Sequence, residues 1–404
     1  MLKVGSDFSG VGAFNQALTR LGVEYQEVFA CDMDKYARQT FIHNYGEPKY
    51  YPTNVYDREI PSESLDIYMT SPPCQAFSLA GKRLGKDDKR GILFFNSYEF
   101  IQVNQPRFFI FENVKGLLSD DGGNTFQEWI NMLGGRSVNG LPILFPYDNA
   151  LPYHLYWQVL NAKHHGVPQN RERVFLIGIR DDKDNNFRFP AEEHLSKRLK
   201  DVLEEEVNDK YFLSEKMIDY ISSSGTKNFY YKPEFLNIDC FFSKPLTTAQ
   251  DKRAGTTNYL KIKSATSKGY EEATEGDSIN FSVPNSKTRR GRVGKGVAQT
   301  LDTGCNQGVM HKYQKEIQQS LSQDICTGID ASYYKGFGVR QGKCRQVVNN
   351  NHKIRRLTPR ECFRLMDFPD TFTWDVSDSQ AYKQAGNSIV VRVLEKIIKN
   401  LLQI

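Results

Sequence analysis

Apolar and polar residues follow two patterns in the first part of the chain, one that predicts strands and one that predicts helices. Short apolar runs that end in polar residues predict strands. These runs lie at residues 2–5, 25–30, 65–70, 107–111 and 173–179. Between the first two runs lies a helical stripe made of Phe14, Ala17, Leu18 and Leu21, which Gly22 ends. Strands that alternate with helices are typical of a mostly parallel sheet with helices on its faces.

Helical spacing returns only near the C-terminus. Thr358, Pro359 and Glu361 have the pattern of a helix start with a hydroxyl cap, a first-turn proline and a capping-box glutamate. We expect Pro369 to stop this helix. The last segment carries an apolar stripe made of Ile389, Val390, Val393, Leu394, Ile397, Ile398 and Leu401. Because so wide a stripe needs a large apolar partner, we predict that it packs on the N-terminal sheet.

The region between these two parts has short β-like runs, turns and charge clusters instead of regular alternation. We therefore predict an α/β protein with a Rossmann-like sheet and a second, smaller, irregular and mostly β domain inserted into it. The predicted limits are 1–185 for the first part of the main domain, 186–346 for the inserted domain and 347–404 for the return to the main domain.

Composition narrows the functional classes. The chain has 404 residues and 39% hydrophobic content, enough for a large core. No apolar run approaches the roughly 20 residues that span a bilayer, and the N-terminus lacks the pattern of a signal peptide. Seven cysteines without metal-ligand spacing argue against both a disulfide framework and a zinc site. We predict a cytoplasmic protein without a metal.

Positive charge is concentrated in short runs, although the net charge is only +5. The clearest run, 287–295, contains no acidic residue and places Lys287, Arg289, Arg290 and Arg292 close together. Most such runs are solvated surface. When glycines are interleaved, they also suit contact with a phosphate backbone.

A glycine turn follows the first strand. Gly10 and Gly12 let the backbone turn tightly between the strand and the helix, and Asp32 stands about 20 residues further on, at the end of the next strand. This arrangement indicates an adenosine-containing cofactor, the alternative being a plain tight turn. The third glycine of the dinucleotide fingerprint is missing, so S-adenosylmethionine fits better than NAD.

Four reactive side chains lie at or just beyond predicted strand ends, where open α/β sheets bind ligands. They are Cys74, Glu112, Arg171 and Arg173. A thiol attacks as the thiolate and needs nearby positive charge, and an apolar setting raises the pKa of a glutamate. The alternatives are a buried structural cysteine, a strand-end ion pair for the glutamate, and surface ion pairs of both arginines with Glu172.

Five blocks in order carry a resemblance: "FSGVG", "PPCQ", "ENV", "QNRER" and "GNS". They resemble the signature blocks of the DNA (cytosine-5) methyltransferases of bacterial or phage restriction-modification type. The resemblance implies an S-adenosylmethionine-dependent methyltransferase sheet, a variable target-recognition domain in the middle, and double-stranded DNA as partner. The implied location is the cytoplasm of a bacterium or phage-infected host, and a cognate restriction endonuclease that acts on the same site is left open. Because nothing in the sequence suggests a multi-subunit assembly, we expect a monomer.

The resemblance also assigns catalytic roles. Cys74 would add to C6 of a cytosine that has been swung out of the duplex. Glu112 would donate a proton toward N3, and Asn113 would help to place that edge. Arg173 would hold the O2 side of the ring, and Arg171 would buttress the site.

Cofactor and DNA contacts are carried over in the same way. The implied cofactor residues are Phe8, Gly10, Gly12, Asp32, Met33, Asn54, Pro72, Gln75, Asn387 and Ser388. Asn54 departs from the aspartate that is usual in relatives, and Ala13 from a glycine. The candidate DNA contacts are Ser78, Lys82, Arg83 and Arg90 after the cysteine, the four basic residues Lys287, Arg289, Arg290 and Arg292, and Thr300, whose alternative is a core strand and its turn.

Two other functions fit parts of this pattern. A transfer-RNA cytosine methyltransferase shares the scaffold, but the long basic middle region argues against it. A catalytically silent DNA-binding homologue is disfavoured because Cys74, Glu112, Arg171 and Arg173 are all present.

Overall fold

The structure is a computed structural model of the chain. It describes residues 1–73, 92–184, 186–212, 260–274, 276–283, 286–304, 306–312 and 352–404. Several predicted site residues lie outside these ranges, namely Cys74, Gln75, Ser78, Lys82, Arg83 and Arg90.

The chain divides into two compact units. The first unit comprises Met1–Glu204, Ala298–Cys305 and Thr358–Ile404, and the second comprises Glu205–Val297 and Asn306–Leu357. The first unit thus extends beyond the predicted limit at residue 185 because Leu199 and Val202 are buried in it without belonging to a strand or an α-helix. The second unit extends past residue 346, since residues 352–356 pair with another of its strands.

The first unit is built on an eight-stranded mixed sheet. Its strands, with the small strand β8 that pairs elsewhere, are β1 Leu2–Asp7, β2 Tyr25–Cys31, β3 Ile67–Thr70, β4 Phe108–Val114, β5 Ser137–Val138, β6 Leu141–Pro142, β7 Tyr153–Asn161, β8 Gln169–Asn170 and β9 Glu172–Arg180. The sheet order is β2-β1-β3-β4-β9-β7-β5-β6. Strands β2, β1, β3 and β4 are parallel, whereas β9 runs antiparallel to both β4 and β7. The predicted α/β class is confirmed.

Seven α-helices lie in the described part of the chain. They are α1 Ala13–Arg20, α2 Lys35–Tyr45, α3 Ile92–Asn104, α4 Asn124–Leu133, α5 Pro359–Leu365, α6 Asp378–Asn387 and α7 Val391–Leu402. Short 3-10 turns occupy Lys115–Gly123, Ala162–His165, Asp181–Lys183, Leu199–Val202 and Asp209–Tyr211. The predicted capping box is present at Thr358 and Glu361, but α5 ends at Leu365, well before Pro369.

The apolar stripe of the C-terminal segment is buried, and its helix packs against α1. Helix α7 buries Val393, Leu394, Ile397 and Leu401 and lies against α1. Arg20 of α1 pairs with Glu395 of α7 at 2.8 Å, which fixes the register of the two helices. Val4 of β1, the apolar residues of β3 and residues 108–111 of β4 are at most 3% exposed, as expected for strands covered on both faces.

The second unit is mostly β in its described residues. Its strands are β10 Leu260–Lys263, β11 Tyr270–Ala273, β12 Ser278–Asn280, β13 Val293–Gly294, β15 Gln307–Lys312 and β16 His352–Arg356. Strands β10 and β11 form an antiparallel pair, and the others form a four-stranded antiparallel sheet of order β13-β12-β15-β16. Between them in sequence, β14 Ala298–Gln299 belongs to the first unit and pairs in parallel with β8.

The described ranges contain neither a membrane-spanning helix nor a metal-ligating cluster. No helix there is long and apolar enough to cross a bilayer. No group of three or more His, Cys, Asp or Glu side chains there is arranged to hold a metal ion.

Candidate active site

The glycine turn joins β1 to α1. Phe8, Gly10 and Gly12 have φ values of 57°, 55° and 84°, in the left-handed region that favours glycine. At Gly12 a Cβ would also lie 2.3 Å from the ring of Tyr45, so both the angle and the packing require glycine there. A Cβ on Gly10 would meet nothing within 4 Å, which leaves that side of the turn open.

Asp32 fixes the turn to the end of β2. Its Oδ2 accepts the Gly10 N–H at 2.8 Å and its Oδ1 accepts the Asp34 N–H at 2.8 Å. Burial raises the pKa of Asp32 above its usual range, and these two hydrogen bonds oppose that shift. Because each carboxylate oxygen has a second lone pair, Asp32 retains the capacity to accept from further hydroxyl groups.

Two predicted cofactor residues flank this turn. The Met33 side chain is 86% exposed, an unusual position for a large apolar group and one that suits contact with a planar ring. Asn54 instead folds onto its own turn, since its Oδ1 accepts the Tyr56 N–H and its Nδ2 donates to Asp57. The open side of Gly10 and the exposed Met33 therefore remain accessible at this end of the sheet.

The strand ends of β3 and β4 are tied together. Asn113 Nδ2 donates to the main-chain oxygen of Pro72 at 3.1 Å, and Asn113 Oδ1 accepts the Val114 N–H. Pro72 is buried and stands two residues before Cys74. The asparagine thus holds the backbone that leads into the predicted nucleophile.

Glu112 and Arg173 form an ion pair beside this point. Arg173 Nε lies 3.0 Å from Glu112 Oε1, and the two side chains are only 17% and 9% exposed. Burial raises the pKa of Glu112, while Arg173 and then Arg171 lower it. The alternative of a strand-end ion pair for Glu112 is thus present. Glu172 pairs with Lys115 instead, at 3.1 Å, so the alternative that both arginines form surface ion pairs with Glu172 is wrong.

Arg171 is a buried joint between distant parts of the first unit. It is 4% exposed, and its guanidinium donates to the carbonyls of Leu301 at 3.3 Å, Gly386 at 3.1 Å and Ser388 at 2.7 Å. Burial lowers the pKa of Arg171 to about 9. Its partners place the C-terminal segment with Asn387 and Ser388 next to the strand that carries Arg173.

Sequence reasoning missed two residues of this joint. Gln169 accepts the Leu301 N–H and donates to the Leu365 carbonyl at 2.7 Å. Gly386 is required because a Cβ there would lie 2.6 Å from the main-chain oxygen of Asp302. Both residues stand in or directly beside the quoted blocks "QNRER" and "GNS", which is the signal that could have found them.

Thr300 lies in the same part of the first unit. Its hydroxyl donates to the Asn170 carbonyl at 2.8 Å, and the neighbouring Leu301 is buried. Asn387 is exposed at the end of α6, while Ser388 is buried. The described cofactor and catalytic residues therefore all belong to the first unit.

The basic side chains of the run 287–295, in the second unit, differ in how exposed they are. Arg292 is 3% exposed and donates to the carbonyls of Asn280, Ser282 and Val283. Its guanidinium is thus occupied inside the unit, and we do not retain it as a phosphate contact. Lys287 and Arg290 are exposed, and Arg289 is half-buried.

Comparison with known proteins defines the class. The chain belongs to the family of C-5 cytosine-specific DNA methylases, whose model matches residues 2–403. The enzyme class is therefore DNA (cytosine-5) methyltransferase, as the motif blocks predicted.

Individual relatives come from phages and bacteria. The orphan methyltransferase M.SPRI of Bacillus phage SPR is 32% identical, over 99% of this chain and 97% of that protein. The type II methyltransferase M.HhaI of Haemophilus parahaemolyticus is 30% identical, over 98% of this chain and 92% of that protein.

Solved structures show the same fold. A crystal structure of a Spodoptera frugiperda DNMT2 variant has a TM-score of 0.59 and 19% identity, and it covers 100% of both chains. The S. pombe Dnmt2 methyltransferase has a TM-score of 0.58 and 18% identity, over 100% of this chain and 99% of that one.

Proposed function

We propose that this chain transfers a methyl group from S-adenosylmethionine to C5 of a cytosine in a specific duplex DNA site, through a transient bond between Cys74 Sγ and C6. The observation that carries the proposal is the buried Glu112–Arg173 ion pair at 3.0 Å. It lies at the strand end where Asn113 holds Pro72, two residues before Cys74.

The two charged groups suit the two polar edges of a cytosine. Burial raises the pKa of Glu112 and so favours its protonated form; after taking a proton from solvent, Glu112 donates toward N3 and draws electrons from the ring as the thiolate adds to C6. Arg173 supplies positive charge to the O2 side and to the approaching sulfur. Arg171 touches no reacting atom in this scheme and acts as a positioning residue for Arg173.

The cofactor residues form a second half of the site. Gly10, Asp32 and Met33 would hold the adenosine, with Ser388 and Asn387 brought to the site by Arg171. S-adenosylmethionine supplies an electrophilic methyl group when bound. The activated C5 would take this methyl group, and loss of the C5 proton to a water molecule with elimination of the Cys74 thiolate would then restore the ring.

A cytosine in a stacked duplex cannot reach such a site, so the base must leave the helix. We propose that the second unit recognises the surrounding duplex, with the exposed Lys287 and Arg290 contacting phosphates. The segment after Cys74, with Lys82, Arg83 and Arg90, would supply further phosphate contacts.

The first experiment measures tritiated methyl transfer from S-adenosylmethionine to duplex DNA and, separately, to transfer RNA. We expect label in duplex DNA only, and bisulfite sequencing of the product should place it at cytosines of one short site. Incorporation only into transfer RNA would overturn the assignment of substrate.

The covalent step has its own test. Duplex DNA that contains 5-fluorocytosine at the methylated position should trap the protein as a stable adduct, because the fluorine blocks elimination. Cys74→Ser should abolish the adduct and lower turnover at least about 100-fold. Cys362→Ser, which alters a buried cysteine of α5, is the matched control and should retain both. Undiminished turnover by Cys74→Ser would exclude the covalent mechanism.

A further inference from the structure

A buried charge cluster lies beneath the glycine turn. Asp7, the last residue of β1, is 1% exposed, and its Oδ2 accepts the Tyr68 hydroxyl at 2.6 Å. Its Oδ1 lies 3.0 Å from Arg58 Nε, and the two side chains are 0% and 2% exposed. An isolated buried charge is costly, so each partner holds the other in place.

Arg58 is itself held by aromatic rings. The centre of its guanidinium lies 4.6 Å from the centroid of Phe100 and 5.7 Å from that of Phe29. Its Nη2 also donates to the Asn96 carbonyl at 3.4 Å. The ion pair therefore has a defined position within the apolar core and little freedom to move.

Each partner of the pair lies within four residues of a residue that the family resemblance assigns to the cofactor. Asp7 directly precedes Phe8, whose φ of 57° is a conformation that a phenylalanine rarely adopts unless its surroundings enforce it. Arg58 follows the turn of Asn54 by four residues. The same segment is attached to β2, since the Asp32 N–H donates to the Pro52 carbonyl.

We propose that Arg58, through its ion pair with Asp7, is a positioning residue that sets the turn at Phe8 and the turn at Asn54, both assigned to the cofactor by the family resemblance, relative to each other. This inference rests on the proposed function, because it takes those turns to hold S-adenosylmethionine. Arg58 contacts neither Glu112 nor Arg173. Its loss should therefore weaken cofactor binding much more than it slows the bound complex.

The test measures binding of S-adenosylhomocysteine to the DNA-free protein by calorimetry. Arg58→Met keeps an unbranched side chain against Phe100 but removes the charge, and we expect its Kd to rise about 10-fold or more. Arg58→Lys should restore part of the affinity, with a rise of about threefold. The matched control is Arg180→Met, which breaks the Arg180–Asp182 pair near the amino-terminal end of β4, the opposite end of the strands in the same sheet, and should leave Kd unchanged.

Steady-state kinetics separate positioning from general damage. For Arg58→Met, KM for S-adenosylmethionine should rise with Kd, while kcat at saturating cofactor and the Kd for duplex DNA should stay within about threefold of the parent values. The double variant Asp7→Asn/Arg58→Met removes the unpaired buried carboxylate, so it should regain stability toward urea while its cofactor Kd remains raised. Recovery of cofactor affinity together with stability would show a purely structural role and overturn the inference.

The outcomes distinguish failure of the proposed cofactor from failure of the role inferred for Arg58. If the parent protein does not bind S-adenosylhomocysteine, the proposed cofactor is wrong, and this inference falls with it. If the parent binds and folded Arg58→Met binds within about twofold of it, only the inference is wrong. Should Arg58→Met fail to fold, Tyr68→Phe, which removes one hydrogen bond to Asp7, decides: an unchanged Kd overturns the inference, and a raised one supports it.

Discussion

Arg171 of the first unit and Arg292 of the second unit have the same local chemistry. Each is almost fully buried, and each guanidinium donates to three main-chain carbonyls. Their partners differ in sequence distance. Those of Arg171 lie 130, 215 and 217 residues away, whereas those of Arg292 lie 12, 10 and 9 residues away.

The difference shows what a buried arginine can do in a fold. The Arg292 guanidinium donates to carbonyls that lie 9 to 12 residues before it, so it stabilises one short segment of the second unit. Arg171 joins the strand region of Arg173 to the β14 segment and to the C-terminal segment, and removing it leaves carbonyls of two remote segments without their donor. We therefore expect similar chemistry to have unequal consequences for catalysis.

The largest effect is expected for Arg171→Met. Loss of three hydrogen bonds from a charged donor should cost about 3 kcal/mol or more in the free energy of unfolding, measured by urea titration. Misplacement of Arg173 and Ser388 should also lower kcat at least about 100-fold. Arg171→Lys cannot donate in the same fork and should recover only a small part of either quantity.

A folded Arg171→Met protein with kcat within about threefold of the parent value would contradict the idea that this joint positions the site. Arg180→Met is the matched control in the same sheet, since Arg180 donates to exposed partners away from these strand ends.

A smaller effect is expected for Arg292→Met. It should cost about 1–3 kcal/mol of stability, because three buried carbonyls lose their donor, but the salt dependence of DNA binding should not change. Lys287→Gln, an exposed neighbour, should do the reverse: unchanged stability and a salt slope lower by about 0.9. Binding isotherms at a series of salt concentrations give both slopes. A flatter slope for Arg292→Met would restore it as a phosphate contact.

His165 contrasts with the two arginines, because it is a buried basic group whose ring nitrogens have no hydrogen-bond partner among the described residues. It is 0% exposed. Burial, with the nearby Lys396, lowers the pKa of His165 to about 4. The unfolded chain, with an ordinary histidine pKa, binds the proton more readily, so His165 destabilises the protein as the pH falls from about 6.5 toward 4.

The parent should lose stability between pH 7 and pH 5, and in His165→Phe this loss should be smaller by about 1–2 kcal/mol. Urea titrations at several pH values measure this difference. The control is His164→Gln, since His164 pairs with Glu192 at a more exposed position. An identical pH dependence in His165→Phe and the parent would show that this histidine does not titrate as its burial indicates.

Much of the first unit was predictable because its signals are local. The apolar runs gave the principal strands, Thr358 and Glu361 gave the start of α5, and Gly10 and Gly12 gave the turn after β1. Local signals did not give the antiparallel direction of β9, because an apolar run has the same composition in either direction. They also did not separate Arg292 from Lys287, because burial of a basic side chain depends on which carbonyls surround it.

The sequence alone determined the family and the candidate reactive groups, since these depend on side-chain chemistry and on motif order. Tertiary structure decided which of those groups meet. The Glu112–Arg173 pair, the three carbonyls on Arg171 and the Asp7–Arg58 pair each join residues that lie on separate elements. Such contacts exist only after the sheet has paired and the C-terminal segment has closed on it, because their energy depends on distance and burial rather than on neighbouring residues in the chain.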